Sequence, residues 1–377
     1  MFSKYFLLLA LIITTAESFG ADLFKIAPYS LKNTNGHMLL NFQLNEDKKL
    51  SIEDGVKLIN ERDYKKDVHY QIELSLVDCG VTKDLRIKDN NEIIFSKNFT
   101  QPACASTPAE SEYVFGFISD TQQYTQRHEA VAKVIAYHHA LEPLQFIING
   151  GDVVQNGQKE EEWIEYFKGG SAYLMDIPQI AAIGNHDYRG QEDKALPKYF
   201  QKYMRWTGTP TNGNLFFEMP GLQLVIWNSN SSDLTSAQET EMWAWLEEKM
   251  KIARKSGTPL ILATHFPVFS SSLNRFTSAS VRKLKSHLVP LAEKYGIKLI
   301  LSGHTHMFER SYKDGVNYLV AGPAGGRANS PSMTNKYQQS FDSSALTFTK
   351  IKYSNKTLKL ETFNQDNALI DQLFINL

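Results

Sequence analysis

The stretch "LILSGHTHMFERS", Leu299 to Ser311, joins a short apolar run to a glycine and two histidines. The apolar run has the length and composition of a buried β-strand. In α/β proteins, ligands bind in the crevice at the carboxyl ends of such strands. The stretch therefore predicts a buried strand whose carboxyl end carries two imidazoles, those of His304 and His306, at a binding site.

The same arrangement recurs along the chain from Tyr113 onward, where apolar runs of strand length end in side chains that can bind metals. Helix-length segments such as His128 to Leu141 and Ser236 to Ala253 separate these runs, and we expect the histidines of the first segment on a solvated helix face. Buried strands with helical connections predict a layered α/β core. The side chains at the other strand ends belong to Asp120, Asp152, Asn185, His186 and His265.

The donor types at these strand ends are selective. Apart from His186, they are two carboxylates, one amide and three imidazoles, with no thiolate, and these six donors favour a pair of divalent ions of the Mn, Fe or Zn kind. Two ions about 3.5 to 4 Å apart are what phosphoryl hydrolysis uses. A glycine precedes the ligands in "GHTH", "GNHD" and "GGD", and it permits sharp turns and close backbone approach.

The N-terminal region has a different pattern of apolar and polar residues. Stretches such as "MLLNFQL" (Met38 to Leu44) alternate between apolar and polar residues, which predicts β-strands. The Pro- and Ala-rich segment Gln101 to Glu112 is the best linker candidate. We therefore expect an all-β domain at 22–110 and an α/β domain at 111–377, whose alternating tail from Ala345 closes a sheet edge.

The first residues predict export. Lys4 precedes a short apolar run, Phe6 to Ile13, and then small and polar residues, which is the pattern of a signal peptide over 1–21. The run is too short to cross a bilayer, so a stable membrane anchor is not expected, although an uncleaved anchor is the alternative. Cys79 and Cys104 could form a disulfide in an oxidising compartment such as the periplasm, or remain thiols.

The charge balance bears on partners. The chain has 377 residues and a formal net charge of -1, without a long Lys/Arg block. It therefore lacks the positive surface that binds a nucleic-acid backbone, and nucleic acid is not expected as a specific partner. The sequence does not indicate an oligomeric state.

Five motifs, "SDTQ", "GGDVVQNG", "GNHD", "THFP" and "GHTHMFERS", follow one another in an order that resembles the calcineurin-like metallophosphoesterase superfamily. "HFPVFSSS", "GHTHMFERS" and "YLVAGPAGG" most resemble the purple acid phosphatases. The resemblance covers Tyr113 to the C-terminus. It implies a four-layer αββα sandwich, a fibronectin-like N-terminal β domain, and metal-dependent hydrolysis of a small phosphorylated substrate.

The resemblance also implies roles for the strand-end residues. Asp152 would bridge two metal ions, and the other ligands would divide between the two sites. Asp120 and His306 would bind the first metal, and Asn185, His265 and His304 the second.

His186 would act on the substrate instead of binding metal. It would protonate the leaving alkoxide or stabilise transition-state charge, beside the substrate-facing Asn185, and Asp187 would orient it. Hydroxide generated by the metals would be the nucleophile. Glu309 and Arg310 would brace the loop that carries the two histidines.

The chain departs from the family pattern at three positions. Gln122 and Gln155 stand where relatives carry a histidine or a tyrosine, and either amide could supply a neutral oxygen to the first metal; we favour Gln122 because it shares a loop with Asp120. Without a tyrosinate, a divalent pair is favoured over one with trivalent iron. Arg275 replaces a substrate-facing histidine, and is either a phosphate clamp or an ordinary surface cation.

Three functions fit these patterns. The first is an exported phosphomonoesterase of the acid phosphatase kind. The second is a phosphodiesterase or nucleotide pyrophosphatase that uses the same site. The third is a non-catalytic, metal-stabilised binding protein, which His186 argues against because such a protein has no need of a proton donor beside two metals.

Overall fold

The computed structural model describes residues 22–34, 36–54, 57–74, 82–100, 112–193, 195–204, 211–272 and 279–377. The predicted signal peptide, both cysteines, almost all of the predicted linker and Arg275 lie outside these ranges. In the described ranges no helix is long and apolar enough to cross a membrane.

The strands, in chain order, are β1 Phe24–Lys32, β2 Met38–Leu44, β3 Lys48–Asp54, β4 Lys57–Tyr64, β5 His69–Leu74, β6 Thr82–Asp89, β7 Glu92–Thr100, β8 Tyr113–Ile118, β9 Leu144–Asn149, β10 Gln179–Ala181, β11 Leu215–Met219, β12 Leu222–Trp227, β13 Leu260–Thr264, β14 Leu299–Ser302, β15 Phe308–Lys313, β16 Val316–Val320, β17 Gln338–Asp342, β18 Thr347–Ser354, β19 Thr357–Asn364 and β20 Leu369–Asn376. The helices are α1 Thr125–Leu141, α2 Glu160–Gly169, α3 Asn185–Tyr188, α4 Lys198–Tyr203, α5 Ser236–Ser256 and α6 Ala279–Tyr295, with short 3₁₀ turns at Thr211–Gly213 and Ser231–Asp233.

The N-terminal strands form a β-sandwich. Strands β1, β2 and β5 lie side by side on one face, and the four strands β4-β3-β6-β7 form the other. Phe42, Leu50 and Ile87 belong to one buried apolar cluster that holds the two faces together. This three-plus-four arrangement is that of a fibronectin type III domain, as the resemblance implied.

The sandwich and the catalytic region share a sheet. Strand β1 pairs in parallel with β10 at Leu31 and Gln179, so one sheet runs in the order β20-β19-β18-β8-β9-β10-β1-β2-β5. The predicted boundary at residue 110 stays a prediction, and backbone hydrogen bonds connect the strands on its two sides. The C-terminal tail confirms its expectation, since β18 pairs with β8 and β20 forms the sheet edge.

A second sheet, in the order β11-β12-β13-β14-β16-β15-β17, packs against the first. Alternate side chains of β12 show the layers, because Leu224 and Ile226 join the core between the sheets whereas Val225 and Trp227 face α5 and α6. Helices α1 and α2 pack on the outer face of the first sheet. The predicted four-layer αββα sandwich is therefore confirmed.

Local sequence explains where these helices begin and end. Thr235 and Gln238 form a reciprocal capping box at the start of α5, and Gly257, at φ +68°, ends the helix in the left-handed conformation that glycine adopts easily.

One helix expectation was wrong, because His128 and His138 on α1 are buried and His139 is partly buried. His128 is buried where α1 packs near Gly169 and Gly170, and its Nε2 lies 3.1 Å from the Tyr173 hydroxyl. Burial lowers the pKa of His128 to about 3, so this imidazole is neutral at physiological pH.

Candidate metal centre

The carboxyl ends of four strands in two sheets meet at one place. Asp120 follows β8, Asp152 follows β9, His265 follows β13, and His304 and His306 follow β14. All five residues are buried. Parallel strand pairing within each sheet puts these loops at the same edge, as the sequence predicted.

The side chains form two clusters that share one residue. Ligand atoms of Asp120, Asp152 and His306 lie within 4.8 Å of one another, and so do those of Asp152, His265 and His304. The shortest contacts between acid and imidazole are 3.3 Å in each, from His306 Nε2 to Asp120 Oδ1 and from His265 Nε2 to Asp152 Oδ2. Two triplets with Asp152 in common are the geometry that a bridging carboxylate requires.

Two amides also reach these clusters. Asn185 Oδ1 lies 3.2 Å from His265 Nε2, in the second cluster. The Gln122 amide nitrogen lies 3.0 Å from His306 Nε2 and 3.4 Å from Asp152 Oδ2, and the buried Gln122 Oε1 has no hydrogen-bond partner in the described structure. The Gln155 Oε1 is also buried without such a partner, but the Gln155 amide makes no contact with either cluster among the described hydrogen bonds.

Backbone carbonyls orient two of the imidazoles. His265 Nδ1 donates to the Gly150 carbonyl at 2.9 Å, and His306 Nδ1 donates to the Arg327 carbonyl at 2.7 Å. In both rings this leaves Nε2 facing the cluster. Metal-binding histidines are usually held in this way, with the second ring nitrogen donating to a carbonyl or carboxylate.

The backbone of the site is strained. Asp120, Asp152 and His304 have φ values of +54°, +52° and +66°, which side-chain-bearing residues adopt at a cost of about 1 to 3 kcal/mol each. The motif glycines allow close approach: a Cβ on Gly184 would lie 2.1 Å from the Asp152 amide nitrogen, and one on Gly303 would lie 1.8 Å from Ser119 Oγ. Such strain concentrates at functional sites.

Charges in the clusters interact strongly. Burial raises the pKa of Asp152, but the imidazoles of His265, His186 and His304 together lower it by more, so that it lies well below its usual range. Burial lowers the pKa of His265, and the Asp152 carboxylate raises it, giving about 9. The buried carboxylates therefore attract positive charge. Together with the unpartnered Gln122 oxygen, a donor set of carboxylate, imidazole and amide suits divalent cations.

His186 lies beside the clusters and belongs to neither. Its backbone N–H donates to Asp152 Oδ1 at 2.7 Å, and its ring Nδ1 donates to the Gln155 carbonyl at 2.8 Å. The ring is half-buried. Its Nε2 is thus the ring nitrogen left to act on a substrate.

Asp187 does not make the contact that we expected with His186. Its two carboxylate oxygens accept hydrogen bonds from four backbone amides, those of Gly184, Asp152, Val153 and Val154, at 2.7 to 3.4 Å. Burial and the charge of Asp152 raise its pKa to about 8, against the effect of these amides. Asp187 ties the loop of Asp152 to the loop of His186, and the Gln155 carbonyl orients the imidazole.

Sequence reasoning missed a supporting loop after β12. Asn230 donates to the Ile183 carbonyl at 2.7 Å, and Ser229 Oγ accepts from the Phe266 N–H at 3.0 Å. The loop therefore contacts the backbone next to Gly184 on one side and next to His265 on the other. The polar "NSNS" that follows the apolar run "LQLVIW" was the signal that could have identified this loop.

Glu309 and Arg310, which we expected to brace the loop of the two histidines, hold the start of β15 directly after that loop. The buried Glu309 carboxylate accepts from the N–H of Ser271 at 2.7 Å and from Asn335 at 2.6 Å. Arg310 donates twice to Asp371 on β20, at 2.8 and 3.0 Å.

Comparisons with known proteins agree with this fold and this site. Residues 113–308 match the model of the calcineurin-like phosphoesterase family, which is more than half of the chain. The chain belongs to the calcineurin-like phosphoesterase family. Its predicted class, a metal-dependent phosphoric ester hydrolase with two metals, is confirmed.

The relatives point to one branch of the family. The chain is 26% identical over 236 residues to the tartrate-resistant acid phosphatase type 5 of Oryctolagus cuniculus, covering 55% of this chain and 70% of that protein. It is 23% identical over 221 residues to the phosphoenolpyruvate phosphatase of Allium cepa, covering 54% of this chain but only 43% of that protein.

A solved structure supports the fold. The purple acid phosphatase PPD1 of yellow lupin, Lupinus luteus, superposes with a TM-score of 0.72 at 14% identity, over 93% of this chain and 74% of that one. The resemblance to purple acid phosphatases is thus confirmed, and the neighbour's coverage includes the N-terminal β region.

Proposed function

We propose that the chain is an exported, acid-phosphatase-like enzyme that hydrolyses phosphate monoesters at a site with two divalent metals. The observation that carries the proposal is the pair of ligand clusters that share Asp152, with the half-buried His186 beside them. Export rests on the residues before Asp22, which lie outside the described ranges.

Each of the two clusters would bind one metal ion. Asp120, His306 and the Gln122 amide oxygen would bind the first ion, and Asn185, His265 and His304 the second. Asp152 would bridge them. A neutral amide in place of an anionic ligand favours a divalent pair chosen from Mn, Fe and Zn. Two such ions supply charge that stabilises phosphoryl oxygens and activates water near neutral pH.

Residues of the chain itself would then protonate and position the leaving group. His186 Nε2 would donate a proton to the departing alkoxide, because Nδ1 is occupied by the Gln155 carbonyl. The bond from the His186 N–H to Asp152 Oδ1 fixes the distance between this proton donor and the metal ligands. Asn185, half-buried between His186 and His265, could also face the substrate phosphate.

The test compares hydrolysis of an aryl phosphomonoester with that of the matching bis-aryl diester. Protein lacking 1–21 is reconstituted separately with Mn, Fe(II) and Zn, and the variants His186→Ala and His287→Ala are run beside it. His287 is an exposed histidine on α6 and serves as the matched control. We expect faster monoester cleavage that needs metal and is lost by His186→Ala alone.

Other outcomes contradict the proposal in distinct ways. Faster diester cleavage would favour the phosphodiesterase or pyrophosphatase function. Two bound metals with no turnover of either ester would favour a binding protein. Loss of metal in His186→Ala would show that His186 is a ligand and not the proton donor.

A further inference from the structure

Arg189 lies directly after α3, three residues beyond His186. Its guanidinium Nη1 is 3.4 Å from His186 Nδ1, on an exposed side chain. The guanidinium therefore sits beside the imidazole that would protonate the leaving group. If His186 protonates the leaving group, as proposed above, the leaving group is the part of the substrate that comes close to this guanidinium.

The Arg189 guanidinium has no carboxylate partner in the part of the chain that the structure describes. Arg310 shows the contrast, because its guanidinium forms a two-point ion pair with Asp371 and serves the fold. An exposed guanidinium at the edge of a site, without an internal acid, is available to bind an oxyanion from outside. A guanidinium can bind a carboxylate or a phosphate through two parallel hydrogen bonds.

Other cations lie at the opposite end of the centre. Arg127 donates to the Gly326 carbonyl at 3.2 Å, and the neighbouring Arg327 carbonyl accepts from His306 Nδ1. These two side chains are exposed at the His306 end, away from the proton donor. A cation at the His186 end, beside the proposed proton donor, is placed to distinguish one leaving group from another.

We propose that Arg189 is a specificity-determining residue that binds a second oxyanion, a carboxylate or a phosphate, on the leaving group of the ester. The inference rests on the proposed function and names its substrate class: phosphorylated compounds whose leaving group is itself an anion. Arg189 takes no part in proton transfer. It holds the charged leaving group next to His186.

The experiment uses two aryl phosphates that differ in one ring substituent, a carboxylate in one and the neutral carboxamide of similar size in the other. Both are hydrolysed by the metal-loaded protein and by Arg189→Ala, Arg189→Lys and Arg254→Ala. Arg254, an exposed arginine in the last turn of α5, is the matched control. We expect the unmodified protein to prefer the carboxylate.

In Arg189→Ala the ratio of kcat/KM between the two esters should fall roughly tenfold, through KM of the carboxylate ester, as expected for loss of a hydrogen-bonded charge pair. Arg189→Lys should keep part of the preference, and Arg254→Ala all of it. The fall should shrink at high salt, because the pair is exposed.

Binding of the two corresponding aryl phosphonates, which are not hydrolysed, gives a second readout by calorimetry. The affinity ratio should fall by the same factor in Arg189→Ala. Equal losses for both compounds, or no preference in the unmodified protein, would overturn the assignment. If neither ester were hydrolysed, the proposed function would fail, while the phosphonate affinities would still decide the role of Arg189.

Discussion

The N-terminal sandwich and the metal centre bury their residues on opposite principles. In the sandwich core, Phe42 packs at 5.3 Å from the ring of Tyr64 among regular strands, and apolar contact supplies the stability. The metal centre buries Asp120, Asp152 and His265, and three of its residues have strained backbones. Burial of charge and strain lower the stability of the protein, so they persist there for a purpose other than folding.

The largest expected effect comes from the shared ligand. Asp152→Asn removes the charge common to both clusters, and we expect loss of both metals and a fall in kcat of more than about a thousandfold. Mass spectrometry of bound metal, with Asp366→Asn in an exposed turn as control, measures this. Retention of two metals would show that the clusters do not depend on a bridge.

A substitution in the sandwich core should lower stability without lowering activity. Phe42→Ala leaves a cavity and should lower the free energy of unfolding by about 3 to 5 kcal/mol. Denaturant unfolding measures it, and Phe374→Ala, whose side chain is 61% exposed, is the control. The folded variant should keep both metals and its turnover. A matching loss of turnover would show that the pairing of β1 with β10 couples the two regions.

One buried charge in the sandwich is an exception to its otherwise apolar core. Lys32, at the end of β1, is 2% exposed, and its ammonium lies 3.4 Å from the Gly36 carbonyl. Burial lowers its pKa to about 8.

Between the folded-state pKa of Lys32 and the usual pKa near 10.4, the unfolded chain holds a proton that the folded chain has lost. Lys32 therefore makes the free energy of unfolding rise with pH from about 8 to about 10. Lys32→Met should remove the rise and add up to about 3 kcal/mol at pH 7. An unchanged pH profile of unfolding would mean that Lys32 finds a charged partner.

The smallest expected effect concerns which glutamine binds the first metal. Gln122→Leu keeps the volume of the side chain and removes its oxygen, and we expect roughly tenfold weaker binding of one metal ion, with the other unchanged. Gln155→Leu is the matched control, and calorimetric titration with Mn distinguishes the two. A loss in Gln155→Leu instead would reverse the choice between the two glutamines.

Residues at strand ends could be predicted from sequence because the pattern is local. An apolar run followed by Asp120 or by His304 predicts both a buried strand and a ligand at its carboxyl end. Parallel pairing of the strands then brings these carboxyl ends together. The layered α/β core followed from the alternation of such runs with helical segments, and its four-layer form from the resemblance to the metallophosphoesterases.

Residues whose role depends on packing could not be predicted. The side-chain direction of Asp187 toward the backbone amides of the Asp152 loop is set by two loops that are distant in sequence. The burial of His128 depends on a neighbouring helix, and the support that Asn230 gives to the Ile183 carbonyl crosses 47 residues. Helical or strand periodicity contains no information about such contacts.

The pairing of β1 with β10 has a consequence for anyone who shortens this protein. A truncated catalytic fragment starting near residue 111 would lose β1, β2 and β5 and leave β10 with an open backbone edge. Open edges of this kind pair with other chains and cause aggregation. The N-terminal sandwich therefore acts as a permanent cover for the catalytic sheet, and a soluble minimal enzyme would need a substitute for β1.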